Sequence, residues 1–331
     1  MHLRATGTCH SSPRTRGVRR RDTNAAFSAR RDGRPQVWLY RRGDKKVWIL
    51  GTVTTIPRGT VFDASDIATK VAAAGAIVGA PGQVIGENVG VLRALSLWGS
   101  IRKEKLNKGG ARLPEVLPPD TYSRWQLMKS RILGADNDMD RLRPMYAAYE
   151  LFQAFSRQMG IGDTSPASVS LRQTAKDLGR DIIDARLHLP VSDARATVKA
   201  FEVSEHDDIA CLERTMTAID GLLARMPQLQ DAWATGDLAA LEDSVSRGAI
   251  DYCWATLTNQ AIAKSEGVTD LSAAMNATWF RTVHSALVEG ETVFTLAPVR
   301  DLISRQGPVA LLLQDGFVQE EPFTALQTDL R

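Results

Sequence analysis

The sequence predicts an α/β protein: a central mixed β-sheet entered through an N-terminal hairpin, flanked by helices and carrying a helical insertion at about 86–175. Three observations carry this prediction. Two β-rich runs at 37–40 and 47–50 flank a short charged loop, a strand–loop–helix–strand succession follows them, and beyond residue 86 apolar side chains recur at three- and four-residue spacing. The 331 residues are 44% hydrophobic and 24% charged. Those proportions suffice for a sizeable core and exclude a wholly disordered or collagen-like chain.

The elements follow in order. Between the first two strands, Gly43-Asp44 within a run of Arg and Lys suits an exposed hairpin loop. The Arg42-Gly43-Asp44 tripeptide there is read as turn chemistry, not as an adhesion motif. The loop GTVTTIP from Gly51 leaves the C-terminal end of the second strand, where α/β folds place their ligands. A helix at 65–74, with Ile67, Val71 and Ala74 on one face, leads to a strand at 76–78, and this βαβ order implies parallel pairing.

Val89, Leu92 and Leu95 then mark a helical face, and Arg102, Lys103, Lys105 and Lys108 suit a helix C-terminus. Pro118-Pro119-Asp120 opens one helix and Arg143-Pro144 another that runs to Met159; a strand is expected at 181–183. Ser204 with Asp207 resembles a capping box, and Ile209, Leu212, Met216, Ile219 and Leu223 step along the helix that follows. Helices at 237–245, 271–287 and 309–313 and a strand at 292–296 complete the reading.

Charge is uneven. Residues 1–34 hold nine arginines against Asp22 and Asp32, whereas the remaining 297 residues hold 32 basic and 36 acidic side chains, a net −4. The basic balance therefore belongs to an extension and gives the folded part no nucleic-acid signature. That extension has little apolar periodicity and is expected to be disordered, followed by one domain over 35–320 and a tail at 321–331. An anion-binding arm is a weaker alternative for it. No signal-peptide pattern is visible and no apolar run reaches 18 residues, so no membrane span is expected and a cytoplasmic location is the default expectation.

Motifs for common chemistries are missing. Cys9, Cys211 and Cys253 are widely spaced and are expected to build neither a disulfide framework nor a zinc site. Glu202, Glu205, His206, Asp207 and Asp208 form an acidic cluster, which the start of a helix explains without a metal. No GxSxG elbow, P-loop or dinucleotide fingerprint occurs. The seven tryptophans lie among apolar neighbours and are read as packing residues.

Longer segments carry a resemblance. PQVWLYRRGDKKVWILGTVTTIPRG spans 35–59; LPPDTYSRW begins at Leu117, RPMYAAYEL at Arg143 and AWATGDLAALEDSV at Ala232; VFTLAPVRDLISRQGPVALLLQDGF begins at Val293. In this order they resemble the TraB/GumN family, related to the Tiki proteases, over residues 35–317. The resemblance implies a site for a divalent metal and metal-dependent hydrolysis, built from a GTxH loop, two glutamates and a GxxH loop, in proteins often exported or membrane-anchored.

This chain departs from that pattern at the chemistry. Thr54 stands at the first motif histidine, Ala80 at the first glutamate, Arg186 at the second and Asp301 at the second histidine, while Met275 replaces an arginine and Pro298 a glycine. A threonine hydroxyl is a weak ligand, alanine offers none and arginine adds a permanent cation. The resulting expectation is a binding or structural protein with no metal cofactor, using a remodelled pocket at Thr54, Ala80, Arg186 and Asp301 for a small anionic ligand or a protein partner. Either Arg186 pairs with Asp301 and fills the pocket, or the pocket is open. The alternative is a hydrolase with relocated ligands, Asp301 with Glu202, His206 or His284.

Overall fold

The computed structural model describes residues 33–86, 105–134, 138–162, 164–193, 205–247, 262–289 and 291–321. Residues 1–32, the face formed by Val89, Leu92 and Leu95, the cations Arg102 and Lys103, Glu202, the Ser204 cap and the tail from 322 lie outside them, as does the side chain of His206.

Strands β1 (Val37–Arg42) and β2 (Lys45–Thr52) form the hairpin, with Arg42 opposite Lys45. They run closer to the turn than the apolar pattern shows, because their last pairs are arginine and lysine. Gly43 at φ 58° occupies the first central position of the two-residue turn, a backbone conformation that glycine adopts without strain. Helix α1 (Ser65–Ala73) buries Ile67 and Val71 and leads into β3 (Ala76–Ile77) and β4 (Gln83–Ile85).

A helical block follows: α2 (Leu113–Val116), α3 (Pro119–Ile132), α4 (Pro144–Met159) and α5 (Pro166–Asp177). Pro119, Pro144 and Pro166 sit in first turns, where their missing N–H groups cost nothing. Helix α5 falls within the helical insertion expected at about 86–175, though the sequence reading gives it no bounds; Ser165 caps it, its hydroxyl accepting from the Ser168 N–H at 3.1 Å. Then come β5 (Leu187–Leu189), α6 (Glu205–Thr235), α7 (Leu238–Arg247), α8 (Leu271–Glu289), β6 (Thr292–Pro298), α9 (Val299–Ser304), α10 (Gly307–Gln314) and β7 (Val318–Glu321).

The sheet has the order β3-β6-β2-β1-β7, with β6 parallel to both β2 and β3 and β1 antiparallel to β2 and β7, the mixed arrangement expected. The strand expected at 181–183 shrinks to one parallel bridge, Val78 with Ile183; regular pairing resumes between β4 and β5. Ala80 and Pro81 interrupt the ladder between these two places. Strands β2, β6 and β3 and the Ile183 segment all run the same way, so the chain leaves them along one edge.

Two apolar cores form. The first buries Trp38, Ile49 and Phe294 of the sheet against α1, α5, α7, α8, α9, α10 and the C-terminal part of α6. The second joins α2, α3 and α4 to Leu212, Met216, Ile219 and Leu222 of α6. Helix α6 thus carries one apolar stripe into each core, and its 31 residues reach about 46 Å at 1.5 Å per residue. In the second core the Lys129 ammonium donates to both Asp140 oxygens at 3.0 and 3.1 Å, and the Trp125 indole donates to Oδ1 at 2.9 Å, so the buried charges are paired.

One expectation is overturned. Cys211, buried in α6, is disulfide-bonded, whereas sequence spacing pointed to no disulfide; separation along the chain does not report proximity in the fold. Cys9 and Cys253 lie outside the described residues. In the unfolded, unreduced protein Cys211 will resist alkylation by iodoacetamide and will react after reduction, which peptide mapping by mass spectrometry reads directly; alkylation before reduction contradicts the bond.

The tightest backbone approach is at Gly51. A Cβ there would lie 2.5 Å from Val299 Cγ2 and 2.8 Å from Trp38 Cζ3, both buried side chains. Gly51→Ala is expected to cost about 1–3 kcal/mol by overpacking, seen as a lower denaturation midpoint at unchanged slope; an unaltered midpoint contradicts this packing.

Candidate functional site

The parallel edge of the sheet opens into a cavity of about 1720 Å³. It lies where the two cores meet: loops after β2 and β3 and the 182–186 segment form one side, and α4, α5, Thr215 of α6 and the start of α8 complete it. Clefts between packed units and beyond the C-terminal ends of parallel strands are the usual places for ligands.

Trp233 and Trp279 fix this edge. The buried Trp233 indole donates to the Gly51 carbonyl at 2.9 Å, pinning the end of β2 to α6, and its ring meets Phe62 edge-on at 4.8 Å between centroids. Trp279 of α8 donates to Thr295 Oγ1 at 3.1 Å, and that hydroxyl donates to the Gly79 carbonyl at 3.1 Å. Both loops that begin the cavity are therefore held by buried, satisfied hydrogen bonds. Thr54 lies three residues past Gly51, and its carbonyl accepts from the Gly162 N–H at 3.3 Å, while Arg58 N–H donates to the Gly160 carbonyl at 2.9 Å. These bonds tie the first loop to the end of α4.

Thr54, Ala80 and Arg186 line the cavity together, and Met275 lines it from α8. Asp301 is not among the lining residues. It sits in the first turn of α9, 8% exposed, with Oδ2 2.5 Å from where a Gly307 Cβ would stand, and Arg300 Nε donates to its Oδ1 at 3.1 Å. Gly307, at φ 58°, lets the chain turn directly over this carboxylate into α10.

Arg186 has a partner other than the Asp301 considered above. Its guanidinium grips Asp184, with Nε at 2.9 Å from Oδ1 and Nη2 at 2.6 Å from Oδ2, and its own N–H donates to Oδ1 at 3.0 Å. A partner two residues away is reached at small cost in chain entropy and matches the planar fork. His188 Nε2 lies 3.2 Å from Asp184 Oδ2. The arginine stem rests on Gly82, where a Cβ would meet Arg186 Cγ at 3.4 Å.

Sequence reasoning missed Asp184, Arg172 and Lys264. Asp184, Arg186 and His188 alternate with the period of a strand face, a signal present in the sequence. Arg172 went unplaced because α5 did. Among the described residues, no three His, Cys, Asp or Glu side chains converge to hold a metal ion. His284 stands instead beside Asp315, with Nε2 4.0 Å from Oδ2, and packs against Phe280. No helix among the described residues is long and apolar enough to cross a membrane.

The fold and site thus define an α/β protein with a large open cavity at its parallel edge, built without a metal-ligand cluster among the described residues. The TraB/PrgY/gumN family model matches residues 36–320, most of the chain, and the protein belongs to that family. No curated protein and no solved structure matches the chain.

Hydrogen bonds from the Arg186 side chain hold the Asp184 carboxyl far below the usual carboxylate range, with partial burial opposing them. A lowered folded value means that the pair stabilises the fold above the ordinary pKa of about 3.9 and loses that contribution as pH falls through the folded value. With the side chains 50% and 41% exposed, screening keeps the effect to about 1 kcal/mol or less. The NMR shift of the Asp184 carboxyl carbon is expected to stay constant from neutral pH down to about 3; a titration midpoint near the ordinary value contradicts the pairing.

Proposed function

We propose that this member of the TraB/PrgY/gumN family acts as a binding protein through the cavity at Thr54, Ala80 and Arg186, without metal-dependent hydrolysis. The observation that carries this reading is the donor set at the positions where the family resemblance locates metal ligands. Thr54 offers a neutral hydroxyl, Ala80 no donor, and Arg186 a permanent cation turned toward a carboxylate. Met275 contributes a soft thioether, a poor partner for a hard divalent cation.

The carboxylates at the cavity are engaged. Asp184 accepts from Arg186 and contacts His188, and Asp270 caps α8 through Oδ1, which accepts from the Ala273 N–H at 2.8 Å. A metal would have to displace these bonds and face the Arg186 charge, a cost that the remaining hydroxyls do not offset. Asp301, the acid that stands at the second motif histidine, is occupied by packing under Gly307 and by Arg300. A large cavity with a fixed backbone and engaged acids supports holding a molecule, not activating water.

Calorimetric titration of the purified protein with Mn²⁺, Co²⁺ and Zn²⁺ tests this. The expected result is no saturable binding tighter than about millimolar. Stoichiometric binding of any of the three, abolished by Asp184→Asn or Asp270→Asn, would overturn it.

A further inference from the structure

Resting on that reading of the cavity as a binding site, we infer that its ligand is an amphiphilic anion, an oxyanion head on an apolar body. The charge at the cavity is unevenly compensated. Arg186 and Asp184 cancel each other, and Asp270, which keeps its charge while capping α8, balances one further cation, so the described lining carries a net +1. Arg172 of α5 and Lys264, just before α8, also line the cavity, both exposed, and neither has a carboxylate partner among the described residues.

These two cations come from different elements and stand at one concavity in a body whose net charge is −4 over residues 35–331. Cations gathered at a low-dielectric cleft focus the field and raise the local concentration of anions. Because both are exposed, they belong to the mouth and not to the floor. An ammonium and a guanidinium without acidic partners among the described residues suit a carboxylate or a phosphate, which share the oxyanion chemistry.

The inner surface is of a different kind. Phe152, Leu171, Ile182, Met275 and Leu296 line it, and none of these five is exposed. Leu171 and Arg172 are consecutive on α5, so one helix presents an apolar side chain inward and a cation at the rim. A ligand that is only an anion would leave this apolar surface in water. An apolar body gains about 25 cal/mol per Å² buried there, and the volume, larger than the common 300–1,000 Å³ range, admits a bulky one.

The experiment is a calorimetric titration of the full-length protein with sodium decanoate, monodecyl phosphate and neutral decanol. Saturable one-to-one binding of at least one decyl anion is expected, at least tenfold tighter than decanol; the two anions distinguish a carboxylate from a phosphate head. Arg172→Ala with Lys264→Ala should weaken the anion at least tenfold and leave decanol unchanged. Arg124→Ala with Lys108→Ala, cations that do not line the cavity, should leave the anion unchanged. Decanol binding as tightly as either anion, or an anion affinity indifferent to the Arg172 and Lys264 changes, overturns the charged-head inference while leaving the cavity a binding site. Failure of all three probes to bind at millimolar concentration overturns this inference; binding of a divalent cation in the earlier titration is what overturns the reading beneath it.

Discussion

The close approach at Gly51 sets the geometry of everything around the cavity. At this residue β2 ends, the backbone passes against Trp38 and Val299 with no room for a side chain, and the carbonyl receives the Trp233 indole N–H. Trp233 belongs to α6, the helix that enters both cores. One residue thus ties the sheet edge, the long helix and, through the following loop, the end of α4. A shift at Gly51 would move Thr54 and the Gly162 N–H bonded to its carbonyl together.

That arrangement separates the residues that hold the edge from those that face the cavity. The residues that fix the edge are Gly51, Trp233, Trp279 and Thr295, whose polar atoms are satisfied inside the protein. Thr54, Arg186 and Met275 line the cavity without taking part in these bonds, whereas Ala80 both lines it and packs against the first core. Asp301 lies between these classes. It follows β6 at the same edge, yet its carboxylate is enclosed by the turn into α10, where it also meets the electropositive end of the helix.

Much of the sheet was legible because its signals are local. Gly43-Asp44 between alternating runs fixes the hairpin, and Pro144 after Arg143 fixes the start of α4. Helix α5 is hard to bound within the expected helical insertion because ten of its twelve residues are polar, alanine or proline in a weakly patterned run, and burial of Pro166, Ala167, Leu171 and Ala175 defines its face. The convergence of positions 54, 80 and 186 came from the family resemblance alone, since nothing in their spacing brings them together. Of the two arrangements left open for Arg186, the pair with Asp301 does not form, because a residue two positions away competes better than one 115 positions away. The bond at Cys211 depends on tertiary proximity, which cysteine spacing does not encode.

The central claim is that the cavity lacks the donors to hold a divalent metal and retains the geometry to hold an organic anion. Anomalous diffraction from crystals equilibrated with manganese chloride tests it most directly, because it locates a bound ion by position and not by activity. The account predicts no anomalous peak within the cavity, with Arg186 still seated on Asp184. A peak at ligand distance from Asp184 or Asp270, with the Arg186 guanidinium displaced, would contradict it.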